Sequence, residues 1–307
     1  MSRKLILLAA AAALSLAPLA AQAQQAMSMS PVGAPQAPPP AAPATAAPTA
    51  NATAPAMRSY AQLPADKPKA PPHKASAAER DAAERLEPLA RAAFWGREVD
   101  IDPTDVVAGV KLSSALRAVG QNGEAITVAG RVLVLDPNNF DALMETAKAY
   151  VAAGQGFYAI DPLKKASLAR PRDWRPMSLL GVAYVQVQRD DDAQAIWHDA
   201  LALSPENPAV LSNLAMDMAA KGDAAGAETL LRRAVAQPGS GLVERQNLSL
   251  VLGLQGKLAE AEKILREDLP PEQANADLAY LQSLTKAKAS IAPATTRTWA
   301  AVKGAGS

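Results

Sequence analysis

Apolar and polar positions through the middle of the chain follow helical spacing, and the pattern returns every 34 residues. Pro103, Pro137, Pro171 and Pro205 stand at that interval, each at the end of a helical stretch. Units counted from Val106, Phe140, Trp174, Pro208 and Leu242 put the same residue types in register. Position 20 is Ala125, Ala159, Ala193, Ala227 and Ala261. Position 8 is Ser113, Ala147, Gly181, Ala215 and Ser249, small every time. Position 7 is Leu112, Thr146, Leu180, Leu214 and Leu248, and position 15 is Gly120, Gly154, Gln188, Gly222 and Gly256.

Each unit therefore reads as two antiparallel helices, A and B. Small residues at positions 8 and 20 mark the closest approach of the two backbones, where a larger side chain costs roughly 1–3 kcal/mol by overpacking. Larger residues at positions 4, 7, 11 and 24, among them Tyr150, Tyr184 and Trp197, fill the space around the crossing. Glycine at position 15 ends helix A because it reaches positive φ without steric cost. Proline at position 32 stops helix B. Gln188 in place of a bend glycine, Pro238 one place early and Asp268 at a small core position depart from the scheme. The stack is expected to loosen around Asp268, just before Leu269-Pro270-Pro271.

Composition supports an all-α chain. Hydrophobic residues make up 49% but aromatics only 4%, so the apolar content is chiefly Ala, Leu and Val, which suits closely packed helices. The 31 basic and 30 acidic side chains nearly cancel, which argues against nucleic acid as the main partner. With no cysteine there is no disulfide, no thiolate metal site and no cysteine nucleophile.

The ends differ from the middle. Arg3 and Lys4 precede an apolar run, Leu5 to Ala17, then Pro18 and the small-residue site ending at Ala23. That order reads as a secretory signal over residues 1–23, cleaved after Ala23, with an uncleaved membrane anchor as the alternative. Residues 24–75 hold an Ala/Pro-rich tether: twelve of the 25 prolines lie between Pro31 and Pro72, so no helix or inner strand is expected there. Residues 76–287 form the repeat region, with a degenerate leading helix pair and a closing helix near Ala276 to Ala287. Residues 288–307 read as a flexible tail.

The 34-residue period with these signature positions resembles the tetratricopeptide repeat (TPR) family. The resemblance implies an all-α TPR superhelix, a right-handed α-solenoid of antiparallel helix pairs with an extended concave wall for a peptide or protein.

No chemistry competes with that reading. His73 and His198 are too far apart for a zinc motif, and His198 follows Trp197 on an expected solvent face. Asp190, Asp191 and Asp192 lack the alternating ligands of a calcium loop and suit the first turn of a helix instead. No catalytic, cofactor-binding or metal-binding residue is predicted, and an enzyme is not expected.

The inner wall is assigned to positions 2, 5, 6, 9, 12 and 13 of the A helices. Asn213 and Asn247, both at position 6, offer amides that could grip a peptide backbone. The other reading is that they bond neighbouring helices within the solenoid. Gln246, Met216 and Leu250 are placed beside them, and Met144, Lys148, Arg175, Ser178 and Val182 line the same wall upstream.

Several segments resemble the TPR proteins of the Tad/Flp pilus assembly system (TadD type). They are Arg245-Gln246-Asn247-Leu248 running into Val251 to Gly256, Asp173-Trp174-Arg175 after Pro171, and Gly181-Val182-Ala183. Val210 to Leu214 and Ala279-Tyr280-Leu281 share the likeness. It implies an exported, non-catalytic assembly factor in the periplasm whose partners include the secretin or other pilus components. Many members carry a lipoprotein cysteine that this chain lacks, so a soluble periplasmic form is expected, held to the outer membrane only through a partner. A general periplasmic TPR adaptor for envelope or polysaccharide-export machinery is the alternative.

Overall fold

A computed structural model describes residues 73–291, with side chains through Thr285. The signal, its cleavage at Ala23, most of the Ala/Pro-rich tether and the tail beyond Ile291 lie outside the described residues.

The described residues form thirteen helices and no strand. A leading pair, α1 (Ala77–Ala83) and α2 (Pro88–Ile101), is followed by five A/B pairs. These are α3 (Val106–Ala118) with α4 (Asn122–Leu135), α5 (Phe140–Ala152) with α6 (Gly156–Ala169), and α7 (Trp174–Gln186) with α8 (Asp190–Leu203). Then come α9 (Pro208–Lys221) with α10 (Ala224–Val235), α11 (Leu242–Leu254) with α12 (Leu258–Asp268), and a closing helix α13 (Pro271–Ile291).

Local chemistry sets the helix starts. The first four A helices are N-capped by Asp105, Asn139, Asp173 and Asn207, whose side chains accept from a backbone N–H two or three residues on. Gly241 has no such side chain, and Glu244 reaches back instead, its Oε2 accepting the Gly241 N–H at 2.8 Å. Each A helix ends at a bend with positive φ: Gly120, Gly154, Gly222, Gly256 and, at φ 62°, Gln188. The same backbone conformation is thus kept at the one bend without glycine, at some conformational cost.

The two small-residue registers meet in the core. All five position-20 alanines are fully buried, as are Ser113, Ala147, Ala215 and Ser249 at position 8. Gly181 shows why size matters there: a Cβ on it would lie 2.2 Å from Nε1 of Trp197, the buried residue at position 24 of its own unit. The largest filler is matched by the smallest partner, and the indole N–H donates to the Ser178 carbonyl at 2.9 Å.

Neighbouring pairs share walls, so the core falls into three apolar clusters. One gathers Trp95, Leu112, Leu116 and Ala149, the second Phe140, Leu163, Trp197 and Leu214, the third Ala215, Leu231, Leu252 and Leu281. Helix α5 supplies Ala149 to the first and Leu143 to the second, while α9 supplies Val210 to the second and Met216 to the third.

The stack continues past Asp268, where the sequence departures suggested loosening. Asp268 ends α12 early and is held by Arg245, whose Nε lies 2.7 Å from its Oδ2. Helix α13 then packs Ala274 and Leu281 into the third cluster.

Candidate binding groove

The A helices form the inner wall, and along it runs an open groove of about 740 Å³. Its lining begins with Val110, Lys111 and Ser114 on α3 and continues with Phe140, Asp141, Met144, Glu145 and Lys148 on α5. Trp174, Arg175, Ser178, Leu179 and Val182 follow on α7, then Ala209, Ser212 and Asn213 on α9. The far end is made by Gly239, Gly241, Leu242, Val243 and Glu244. Positions 2, 5, 6 and 9 do face the groove, as the periodicity implies. Positions 12 and 13 do not, and position 1 does, which the sequence reading missed for Phe140, Trp174 and Leu242. The signal was present in Asn139 and Asp173: a cap fixes where the helix begins, and so which face its first residue takes.

Among the predicted wall residues, Met144, Lys148, Arg175, Ser178, Val182 and Asn213 come together in the groove. Met216 and Leu250 are corrected to the core: both are buried in the third apolar cluster and neither lines the groove. Asn247 and Gln246 are likewise buried and outside the lining. Each of the two asparagines makes one bond within the solenoid. Asn213 Nδ2 donates to Ser178 Oγ at 3.1 Å, and Asn247 Nδ2 donates to Ser212 Oγ at 2.8 Å. Both bonds join adjacent A helices, so the asparagines tie the solenoid together. In Asn213 this uses one of two amide hydrogens in a residue that also faces the groove. Gln246 Nε2 is buried without a hydrogen-bond partner.

The chemistry of the wall changes along its length. At α3 and α5 it is ionic: the buried Glu145 accepts from Arg117 Nε at 3.0 Å and Lys148 Nζ at 2.7 Å, while Lys111 pairs with Glu84 at 3.1 Å. In the middle it is apolar and aromatic, with Met144, Leu179, Val182 and the half-buried Trp174. The Arg170 guanidinium stacks 3.7 Å from the Phe140 ring centroid. Arg175 pairs with Asp173; hydrogen bonding from that guanidinium is the main reason the Asp173 carboxyl lies below its ordinary value. Toward α9 the wall turns polar at Ser212 and Asn213, and on α11 it ends with Leu242, Val243 and Glu244.

The Gly239–Gly241 turn at the far end was also not read from the sequence as part of the wall. Four residues link B to A between α4 and α5, α6 and α7, and α8 and α9, but six, Ala236–Gly241, link α10 to α11. The early Pro238 is the sequence trace of that longer loop. Elsewhere, His198 is exposed and Asp190 to Asp192 open α8, as a polar first turn should. Among the described residues no cluster of three or more His, Cys, Asp or Glu is arranged to hold a metal ion. Among the same residues no helix is long and apolar enough to cross a membrane.

Comparison with known proteins agrees with the architecture. No family model matches the chain. The uncharacterized protein y4yS of Sinorhizobium fredii (strain NBRC 101917 / NGR234) is 30% identical over 144 residues, covering 44% of this chain and 79% of that protein. A thermophilic TPR protein of Thermus thermophilus superposes with a TM-score of 0.53 at 22% identity, over 58% of this chain and 100% of its own. A tetratricopeptide repeat protein from Parabacteroides merdae ATCC 43184 does so at 0.51 and 14% identity, over 66% of this chain and 89% of its own. The fold is an all-α TPR superhelix.

Proposed function

The chain belongs to one family with the y4yS protein of Sinorhizobium fredii, and from its groove we propose a non-catalytic scaffold that holds an extended segment of another protein. One observation carries the reading: a single groove is lined by residues from five successive A helices. A stack whose units touch only their neighbours has little use for such a wall except to present it to a long, thin ligand. The apolar middle supplies burial, and the polar ends fix direction.

The scaffold is proposed to work in the periplasm as an assembly factor of a Tad/Flp pilus. Export is supported by the charged, apolar and small-residue order of residues 1–23. The pilus assignment is supported by the Arg245–Leu248, Val251–Gly256 and Val210–Leu214 segments. Its partner would then be the secretin or another pilus component.

Affinity capture from envelope fractions tests this with the full chain and a Leu179→Arg variant, which puts a charge on the half-buried middle of the groove. Secretin or pilus components should come down with the native chain and drop at least about tenfold with the variant, the equivalent of ~1.4 kcal/mol. Equal recovery by both moves the interaction off the groove. Recovery of polysaccharide-export or cell-wall components instead assigns the chain to the general adaptor class.

A further inference from the structure

The groove and the chain that leads into it match in two physical respects. First, the lining is electrically balanced, with Lys111, Lys148 and Arg175 against Asp141, Glu145 and Glu244. A charged ligand gains no net attraction there and must give up hydration to enter, so a neutral ligand is favoured. Between Lys4 and Arg58 this chain carries no charged side chain at all. The stretch from Gln24 to Met57 is almost wholly Ala, Pro, Thr, Ser and Gln.

Second, the connection delivers that stretch to the groove. Lys74 is pinned where α3 begins, its Nζ 2.8 Å from Oδ2 of Asp105 and 2.9 Å from Asp102. Asp105 caps the same helix that supplies Val110, Lys111 and Ser114 to the groove. Ten residues on, Glu84, just past the end of α1, pairs with Lys111 itself, which lines the groove. Crossing five A helices takes four interaxial steps of about 8–10 Å, roughly 40 Å in all. An extended proline-rich chain rises about 3.1 Å per residue, so about 13 residues cover that span. The uncharged run is more than twice as long. Proline-rich segments also suit such a wall because they are already extended and lose little entropy on docking, and Trp174 offers the aromatic face they pack against.

We propose that the uncharged Ala/Pro-rich run of this same chain, within Gln24–Met57, lies in its own concave groove, which a partner must then clear in order to bind. The proposal rests on the groove being the binding surface. It adds that the surface is self-occupied, so affinity for the partner is reduced by the fraction of chains in the docked state.

The absence of cysteine makes the test clean. Nitroxides are attached to the full chain at Ala42→Cys and at Asn138→Cys, the latter an exposed turn residue two places before the groove-lining Phe140. Pulsed electron paramagnetic resonance then reads the distance between them. Docking gives a narrow distribution, and the triple variant Pro38→Asp, Pro39→Asp, Pro40→Asp makes it roughly twofold broader, as for a free chain. Distributions of equal width in the two proteins, whether wide or narrow, overturn the proposal. A mixture of singly labelled chains distinguishes the source: short distances there put a second copy's segment in the groove and overturn docking within one chain. This readout involves no partner. Failure here leaves the capture experiment intact, and failure of capture leaves this result standing.

Discussion

The two ends of the solenoid meet the same need by opposite chemistry. A stack of helix pairs exposes an apolar face at each end, and each end must be covered. At the start the cover is ionic. Glu98 on α2 is fully buried, accepts the Ala75 N–H at 3.1 Å with each carboxylate oxygen, and takes 2.7 Å and 3.1 Å bonds from Arg80. Arg80 also reaches Asp105, 2.7 Å away, and lies over the Trp95 ring. At the finish the cover is chiefly a knob in a hole, beside one fully buried carboxylate, Asp277. Leu281 of α13 is fully buried, and a Cβ on Gly253 would stand 2.8 Å from its Cδ2. An ionic seal is directional and reports its surroundings; an apolar plug is neither.

The largest effect should come from stranding the charges at the ionic end. Glu98→Ala leaves Arg80 with Asp105 alone and the Ala75 N–H without its acceptor, and should cost about 3–5 kcal/mol. Chemical denaturation combined with hydrogen exchange should show α1 opening first and α13 unchanged. Leu281→Ala should cost about 2–5 kcal/mol at the other end, with exchange rising in α13 and α11 and not in α1. If either loss spreads evenly over the whole chain, the ends are not independent and the comparison breaks.

Acid should separate the ends further. Asp102 is lowered to about 2 from its ordinary 3.8, first by the Thr104 hydroxyl and then by Lys74. Burial pushes the Asp105 carboxyl up, but hydrogen bonds from Lys74, the Ala108 N–H and Arg80 outweigh it and hold the group well below its usual range. Both carboxyls are depressed on folding, so their stabilisation is complete above the usual value and is lost as pH falls through the folded one. Exchange protection of α1 should therefore fall between the ordinary 3.8 and about 2, ahead of the Leu281 contact. The smallest effect belongs to Lys74→Ala. Loss of its half-exposed ammonium should lower the melting temperature only slightly, and less at high salt, in thermal melts at two ionic strengths.

The fold was legible because its rules are local. Alanine at position 20, small residues at position 8 and a bend at position 15 each state a steric demand that one helix pair must meet. Gln188 shows the limit of that language: the letter changed, but the φ of 62° did not, because the flanking helices fix the bend. Gly181 and Trp197 were each visible, yet their dependence on one another appears only once the helices are packed. The groove was less legible than the fold. Periodicity tells which residues share a face, but not how deep the next unit sits on it. Met216 and Leu250 occupy the same register as the groove-lining Lys148 and Val182, and are covered because the third cluster closes over them. The 35-residue spacing of Ser178 to Asn213 and of Ser212 to Asn247 was on the page, but only coordinates show those pairs bonding to each other.

Helices α5 and α9 each give one face to one apolar cluster and another to the next, and both also line the groove. Each therefore works as a party wall. A ligand that wedges the groove wider at one wall must tilt a helix that is also half of two cores. Close-packed cores resist being deformed piecemeal. A ligand that opens the groove at either wall is therefore expected to load both adjoining cores at once.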